Sequence, residues 1–402
     1  MVDMQVLRAQ LNTHDSFYLY EEAGIRAAAR RLQSALSGAR LLYSMKCNPA
    51  GRVLDTVFKE GFGADAASVG EVGLAEAHGV PAGQIYFSAP ARTEADLRRA
   101  YGRCVLIADS LREVELIARI AAEKGETAEI GLRLNPDFTF AADHGVPGKF
   151  GVDEETFFAE CGRLATLPGV KIVGIHVHAK SQELSAAVLS GYYRNLFRLV
   201  GRVTEKLPLR FANFGSGLGI PFAPGEAPLA LEELGEAFRA MLAECRKAWP
   251  ALEILIESGR YVVGKSGTYV TKVLEKKCSR GKTFLLLHDT LNGFARPAVG
   301  EMVRGFTDAP FPCEPVFTHV DAQELIPLTG ETALETVTLA GNLCTSADII
   351  ARDVRLPRME VGDGLAMTNA GCYAAVMTPM QFAAMTPPAQ LFLEAGGKIT
   401  DA

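Results

Sequence analysis

Side chains able to do covalent and acid–base chemistry recur at one kind of place in this sequence, just after a short apolar run. Lys46 closes LLYSMK, Asp65 and Ser68 close GFGADAAS, and Arg133 with Asn135 closes EIGLRLN. His176 and His178 close KIVGIHVH, and Glu257 with Gly259 and Arg260 closes EILIESGR. The cluster NFGSGLG, with Gly215, Ser216, Gly217 and Gly219, follows LRFA. Singly, each has an ordinary explanation: a solvated lysine at a strand end, a structural histidine, a glycine turn. Together they make one reagent set. An amine can form a Schiff base with an aldehyde, backbone N–H groups of a glycine loop can hold a phosphate, and a carboxylate can meet a ring nitrogen. That set fits a pyridine cofactor used as an electron sink.

The elements that must position these groups follow from the same runs. Eight strand-like segments, 40–46, 62–68, 85–88, 104–108, 129–134, 171–178, 209–214 and 253–257, alternate with amphipathic, alanine-rich stretches. Such alternation predicts an α/β fold, a (β/α)₈ TIM-like barrel over 26–264, whose functional residues gather at the C-terminal ends of its strands. After about Gly264 strand-like runs follow closely with few helices, as in 268–274, 283–287, 336–340 and 364–368, which predicts an all-β C-terminal domain, a sandwich or barrel, over 265–402. Residues 1–25 belong to it, because 17–20 reads as a strand with no helix before it. With 48% hydrophobic and 22% charged residues the chain reads as soluble and globular, and a net charge of -6 argues against sequence-independent nucleic-acid binding. No stretch has the length of a membrane span, and the N-terminus lacks the basic start and apolar run of a signal peptide. The eight cysteines are scattered, without C-x-x-C pairs. The expectation is therefore a cytoplasmic protein with no metal site.

YSMKCNP, GADAASVGE, RLNP with GKFGV, HVHAKSQ, NFGSGLGIPF, IESGR, LCTSAD and NAGCYAAVM fall in order along nearly the whole chain. This series resembles the fold-type III pyridoxal phosphate decarboxylases, the group of alanine-racemase-like fold that includes diaminopimelate, ornithine and arginine decarboxylases. The resemblance implies pyridoxal 5'-phosphate as cofactor and an amino acid as substrate. It makes Lys46 the Schiff-base lysine, His178 the imidazole stacked on the ring, and Glu257 the carboxylate on the pyridine nitrogen. Gly215, Ser216, Gly217 and Gly219 become the phosphate loop, with Asp65, Ser68, Gly259, Arg260 and Tyr373 as further cofactor contacts. Cys344 resembles the cysteine that reaches across a homodimer interface to protonate the product carbon, with Asp348 beside it. Arg296 resembles an arginine that meets a substrate carboxylate.

Some positions depart from that pattern. Thr345 follows Cys344 where diaminopimelate decarboxylases carry a glutamate for the distal amine, Arg296-Pro-Ala-Val-Gly300 ends without a tyrosine, and Lys180 replaces a glycine. Ser258 also stands where proline is usual. The changes at Thr345, Arg296 to Gly300 and Lys180 argue against meso-diaminopimelate, whereas the ending TPMQFAAMTPP and the loop GVPGKFGV resemble the subgroup that decarboxylates amino acid conjugates in siderophore and antibiotic pathways, which implies Lys180, Arg296, Thr345 and Asp348 facing substrate. Diaminopimelate decarboxylase is the alternative. A racemase on the same barrel would want a weaker electron sink than Glu257 provides, and a non-catalytic binding protein could lose Lys46 or Cys344, which are both present. Gly259 to Ser266 formally matches G-x-x-x-x-G-K-[ST], but Tyr261 to Val263 read as extended and a strand follows, so a P-loop is rejected.

Overall fold

The computed structural model describes residues 3–222, 225–306 and 322–402. Cys313 lies outside them. Strand β1 (Ser16–Glu21) comes first, followed by β2 (Arg40–Ser44), β3 (Gly63–Ala66), β4 (Ile85–Ser88), β5 (Val105–Ala108) and β6 (Ala128–Asn135). After the two-residue β7 (Val152–Asp153) come β8 (Val170–His176), β9 (Phe211–Asn213) and β10 (Glu253–Ser258). Eight of these pair in parallel, in the order β5-β4-β3-β2-β10-β9-β8-β6, and β5 pairs with β6 to close the sheet. Helices fill the connections. Several begin on a side-chain cap: Ser68 accepts from the Glu71 amide, Ser110 from that of Glu113, and Thr93 and Asp96 form a capping box.

The barrel is plugged below and polar above. Leu42, Tyr86, Ile107, Val173, Phe211 and Leu255 form a buried apolar cluster inside it. The Phe211 ring fits because Gly131 and Gly174 face it. A Cβ on Gly174 would stand 2.3 Å from that ring. Two residues further along the same strands, and so on the same face, come Arg133, His176, Asn213 and Glu257. Period-two alternation thus turns the interior from apolar to charged, one layer above Phe211.

The second unit is a nine-stranded sheet built from β11 (Gly267–Ser279), β12 (Lys282–Leu287), β13 (Leu325–Leu328), β14 (Leu334–Gly341), β15 (Ile349–Pro357), β16 (Gly364–Met367), β17 (Ala389–Leu393) and β18 (Ile399–Asp401), together with β1. The expected strand at 17–20 joins it, antiparallel to β11 and parallel to β17. Leu7, Leu11, Phe17, Leu19, Val270, Leu328, Ala366 and Leu391 pack a core of its own.

Two local features differ from expectation. A helix, Met4–Gln10, capped by the Asp3 carboxylate, precedes the strand at 17–20, where the sequence pattern predicts none. Tyr261–Val263 are not extended. Arg260–Val263 form a helical turn in which the amides of Val262 and Val263 donate to the Gly259 carbonyl, because Val262 and Val263 bury into the core that also holds Ile25 and Ala29. Packing overrides their strand propensity. The strand expected after Ser266 is present as β11, so no helix opens there and no P-loop forms. The Arg296-Pro-Ala-Val-Gly300 segment lies in a helix, Ala295–Arg304. No helix among the described residues is long and apolar enough to cross a membrane.

Candidate active site

Strand β2 ends in a 3₁₀ turn, Met45–Cys47, which lifts Lys46 over the mouth. Its side chain is 41% exposed, and its Nζ donates to Asp65 Oδ2 at 2.7 Å. Asp65, fully buried at the end of β3, is oriented in turn by Ser88 Oγ at 2.9 Å from the end of β4. Desolvation disfavours the Lys46 ammonium, but the carboxylates of Asp65 and then Glu257 outweigh it and raise the lysine's pKa.

Glu257 is buried at the end of β10. Asn213 Nδ2 donates to its Oε1 at 2.8 Å, His176 Nε2 lies 3.2 Å from the same oxygen, and His178 Nδ1 is 3.9 Å from Oε2. Burial alone would raise its pKa, yet His176, Lys46 and His178 hold it below the usual carboxylate range. Glu257 is therefore an anion in a nearly dry layer. His178 behaves in the opposite sense. Burial, helped by Arg133 and Lys46, lowers its pKa to about 3 against the pull of Glu257. The Ser216 amide donates to His178 Nδ1 at 3.0 Å, so the neutral ring carries its proton on Nε2, which faces Ser181 Oγ at 3.4 Å.

The glycine loop follows β9. Gly215 has φ +62°, and a Cβ there would lie 2.5 Å from the Val177 carbonyl and 2.8 Å from His178, so the loop closes against the imidazole only with glycine. The loop is laced to the segment after His178. The Glu183 amide donates to Gly217 O at 2.8 Å, the Gly219 amide to Glu183 O at 2.9 Å, and Gln182 exchanges hydrogen bonds with the Ile220 backbone. Gly259, which precedes Arg260, packs on Cys47 so closely that a Cβ there would stand 2.6 Å from the Cys47 sulfur. From the β domain, the loop 369–373 docks on the Lys46 turn: Asn48 Nδ2 donates to Gly371 O and the Tyr373 amide to Cys47 O, both at 2.9 Å. Tyr373 covers the Arg260 guanidinium, 5.0 Å from its ring centroid.

Lys46, Asp65, His178, the glycine loop, Glu257, Arg260 and Tyr373 are thus brought together. Other expected residues stand elsewhere or are otherwise engaged. Ser68 is exposed and its hydroxyl caps a helix. Lys180 pairs with Glu183 at 3.5 Å. Arg296 does not present its guanidinium to the mouth: Nη1 and Nη2 donate to the carbonyls of Asn369 and Cys372, at 2.8 and 2.7 Å, under the Tyr373 loop. Asp348 is 2% exposed, with both oxygens taken by Thr290, Leu291 and Leu343. Cys344 is exposed and Thr345 half-buried on the loop after β14, and among the described residues no hydrogen bond or ion pair joins them to the Lys46 cluster of the same subunit. Three groups received no role from the sequence: Asn213 and His176, which flank Glu257, and Arg133, which donates to the His178 carbonyl at 3.3 Å beneath the Phe150 ring. All three occupy strand ends, so the positional rule that found Lys46 covers them as well.

The donor set suits a phosphorylated pyridine aldehyde: an amine at one end, a glycine-lined loop with Arg260 and Tyr373 beside it, an ionised buried carboxylate below, and a flat neutral imidazole. Comparison with known proteins agrees. Residues 22–264 match the pyridoxal-binding domain of the pyridoxal-dependent decarboxylases. The L-glutamyl-[BtrI acyl-carrier protein] decarboxylase of Niallia circulans is 31% identical, over 94% of this chain and 89% of its own. The 2-[(L-alanin-3-ylcarbamoyl)methyl]-2-hydroxybutanedioate decarboxylase of Staphylococcus aureus is 26% identical, over 94% and 93%. The crystal structure of diaminopimelate decarboxylase from Helicobacter pylori, complexed with L-lysine, superposes with a TM-score of 0.83 at 24% identity, covering 98% of this chain and 95% of the other, which speaks for the fold.

Proposed function

The chain belongs to the pyridoxal-dependent decarboxylases, and from that premise we propose that it removes the α-carboxylate of an amino acid whose distal end is conjugated or anionic, with Lys46 as the cofactor lysine. The observation that carries the site assignment is the buried Glu257 carboxylate, bonded by Asn213 and 3.2 Å from His176 Nε2, in the same mouth as Lys46 and His178. Bound there, pyridoxal phosphate supplies the electron sink for the breaking Cα–carboxylate bond. Lys46, whose ammonium Asp65 and Ser88 fix in place, would hold the cofactor through its aldehyde. Glu257, steadied by Asn213 and His176, would keep a proton on the ring nitrogen. His178, fixed by the Ser216 amide, would offer the ring a flat face without adding positive charge. The backbone of Gly215 to Gly219, with Arg260 and Tyr373, would hold the phosphate. Cys344 delivers the proton that replaces the lost carboxylate at Cα.

Because Cys344 and Thr345 lie on the β domain, with the thiol exposed, that last role belongs to the site of a second copy, and the working unit is a homodimer. Val376, Met377 and Phe382, exposed just after Tyr373, offer apolar surface for the contact. Thr345 carries no charge to meet a distal ammonium, and burying an unpaired ammonium is costly. The conjugate reading rests on this and on the two relatives, which act on a carrier-linked glutamyl group and on an alanine joined through a carbamoyl link.

The test is carbon dioxide release across free diamino acids and acidic or amide-linked conjugates, with borohydride fixation of the cofactor and peptide mapping. Expected are a label on Lys46 and a kcat/KM for meso-diaminopimelate about 10²-fold or more below that of the preferred conjugate. Efficient turnover of meso-diaminopimelate, or a label on another lysine, overturns the reading.

A further inference from the structure

Asp348 sits at a node that links two parts of the β domain distant in sequence. Its Oδ1 accepts from the Thr290 hydroxyl and from the Leu291 amide at 3.0 Å, and its Oδ2 accepts from the Leu343 amide at 3.0 Å. Its backbone closes the loop on itself, since the Gly341 amide donates to Asp348 O at 2.9 Å. The loop so pinned, 341–348, is the one that presents Cys344. Packing at the node is tight enough to exclude a methyl group: a Cβ on Gly341 would fall 1.8 Å from Thr290 Oγ1 and 2.1 Å from Asp348 Oδ2.

The other side of the node is anchored in turn. Gly293 and Phe294 amides return to Thr290 O at 3.0 and 2.7 Å, closing the turn 290–294. Ser16 Oγ and Asn292 Nδ2 donate to the buried Asp289 carboxylate at 2.7 and 2.6 Å, and Tyr18 Oη donates to Gly293 O at 2.5 Å. Strand β1 and the 289–294 turn therefore form a platform, and Asp348 fastens the Cys344 loop to it. A buried carboxylate satisfied by three converging donors fixes a loop in one conformation, because each donor it released would be left unpaired.

We infer that Asp348 is a positioning residue for the decarboxylation, holding the Cys344 thiol where it protonates one face of Cα, rather than a group that touches substrate. The inference rests on the reading of Cys344 as the proton source. In that step the Cα–carboxylate bond breaks and carbon dioxide leaves, the electron pair of that bond ends in the new Cα–H bond made with the thiol proton, and the thiolate recovers its proton from water. A group fixed to within about an ångström matters for such a transfer, and misplacement on that scale costs about 10²-fold.

The experiment uses the full chain with Asp348→Ala, Asp348→Asn and Thr290→Val. Three readouts are taken: amide hydrogen exchange of the cofactor-free protein, kcat and KM of the loaded enzyme, and the configuration of deuterium at Cα in product formed in D₂O. Expected for Asp348→Ala are Leu343 and Leu291 amides exchanging about tenfold faster or more, a kcat about 10²-fold lower at unchanged KM and cofactor occupancy, and loss of the single deuterium configuration. Asp348→Asn, which can keep the Thr290 and Leu291 bonds but not that of Leu343, should fall between, and Thr290→Val should move all three in the same direction by less. If Asp348→Ala does not fold, the two milder variants carry the same readouts. Faster exchange with wild-type kcat and configuration overturns the positioning role, as does unchanged exchange. Cys344→Ala with wild-type kcat would instead remove the proton-source reading, so the two failures are distinguishable.

Discussion

Glu257 and His178 sit in the same mouth, 3.9 Å apart, and are driven to opposite protonation behaviour by their neighbours: the carboxylate stays ionised because His176 and Lys46 face it, and the half-buried imidazole stays neutral because it is partly desolvated beside Arg133 and Lys46. Replacing Glu257 with glutamine keeps the shape and the Asn213 contact but removes the charge. Expected is a kcat lower by about 10²-fold to 10³-fold, the range for losing one preorganised electrostatic group, with KM little changed, read in steady-state assays at saturating cofactor. His178 also shapes the response of the cofactor-free protein to acid. Its folded pKa of about 3 lies below the ordinary 6.5, so between those values the unfolded chain binds a proton that the folded one does not, and stability falls as pH drops through that window. Glu257 acts in the same sense only below the ordinary carboxylate value of 4.5. Between pH 6.5 and 5 Glu257 contributes nothing, so comparing the denaturant-unfolding slope of the wild type with that of His178→Phe separates this histidine from groups such as His288, whose raised pKa gives a slope of opposite sign. His178→Phe should flatten the loss of stability there, and an unchanged slope would show that the imidazole is not held neutral.

At the scale of elements, the turn and the helix after β12 do more than connect strands. Arg296, early in the helix Ala295–Arg304, clamps the carbonyls of Asn369 and Cys372 and so holds the Tyr373 loop against the Lys46 turn. Lysine keeps the charge but cannot reach both carbonyls with a planar fork. Arg296→Lys should weaken cofactor binding by about tenfold, the cost of about one buried carbonyl left unpaired, as measured by titration of the cofactor absorption band. Wild-type affinity would mean that the loop is held by other contacts. The barrel and most of this site were legible in the sequence because strands bury one residue in two, and a polar residue just after an apolar run must emerge at the mouth. That rule reaches Lys46, Asp65, His178 and Glu257 without any knowledge of pairing. It does not reach Arg296 or Asp348, whose partners lie at 369, 372, 290 and 291, positions that only tertiary structure brings alongside. The helical turn at 260–263 was hidden for a related reason: its valines prefer strands locally, and only the core around Ile25 and Ala29 makes the helix the better choice.

For the molecule as a whole, the distribution of site residues between two units decides what the smallest active assembly is. Lys46, His178 and Glu257 lie in the barrel, whereas Cys344 is exposed on the loop beyond β14, without a hydrogen bond to them among the described residues. If the thiol serves the barrel of a second copy, each site needs Lys46 from one chain and Cys344 from the other. Lys46→Ala and Cys344→Ala homodimers are then both impaired, for different reasons, and each carries the part the other lacks. When equal amounts are mixed and exchanged to equilibrium, about half the dimers contain one chain of each kind, as follows from random pairing in a two-fold assembly. In such a dimer one site carries both substitutions and the other carries neither. About a quarter of the wild-type sites should therefore return, measured as carbon dioxide release after subunit exchange has been verified by mass or a fluorescent label. Activity that stays at the level of the separate mutants despite complete exchange would put Cys344 in the site of its own chain, or outside the chemistry altogether.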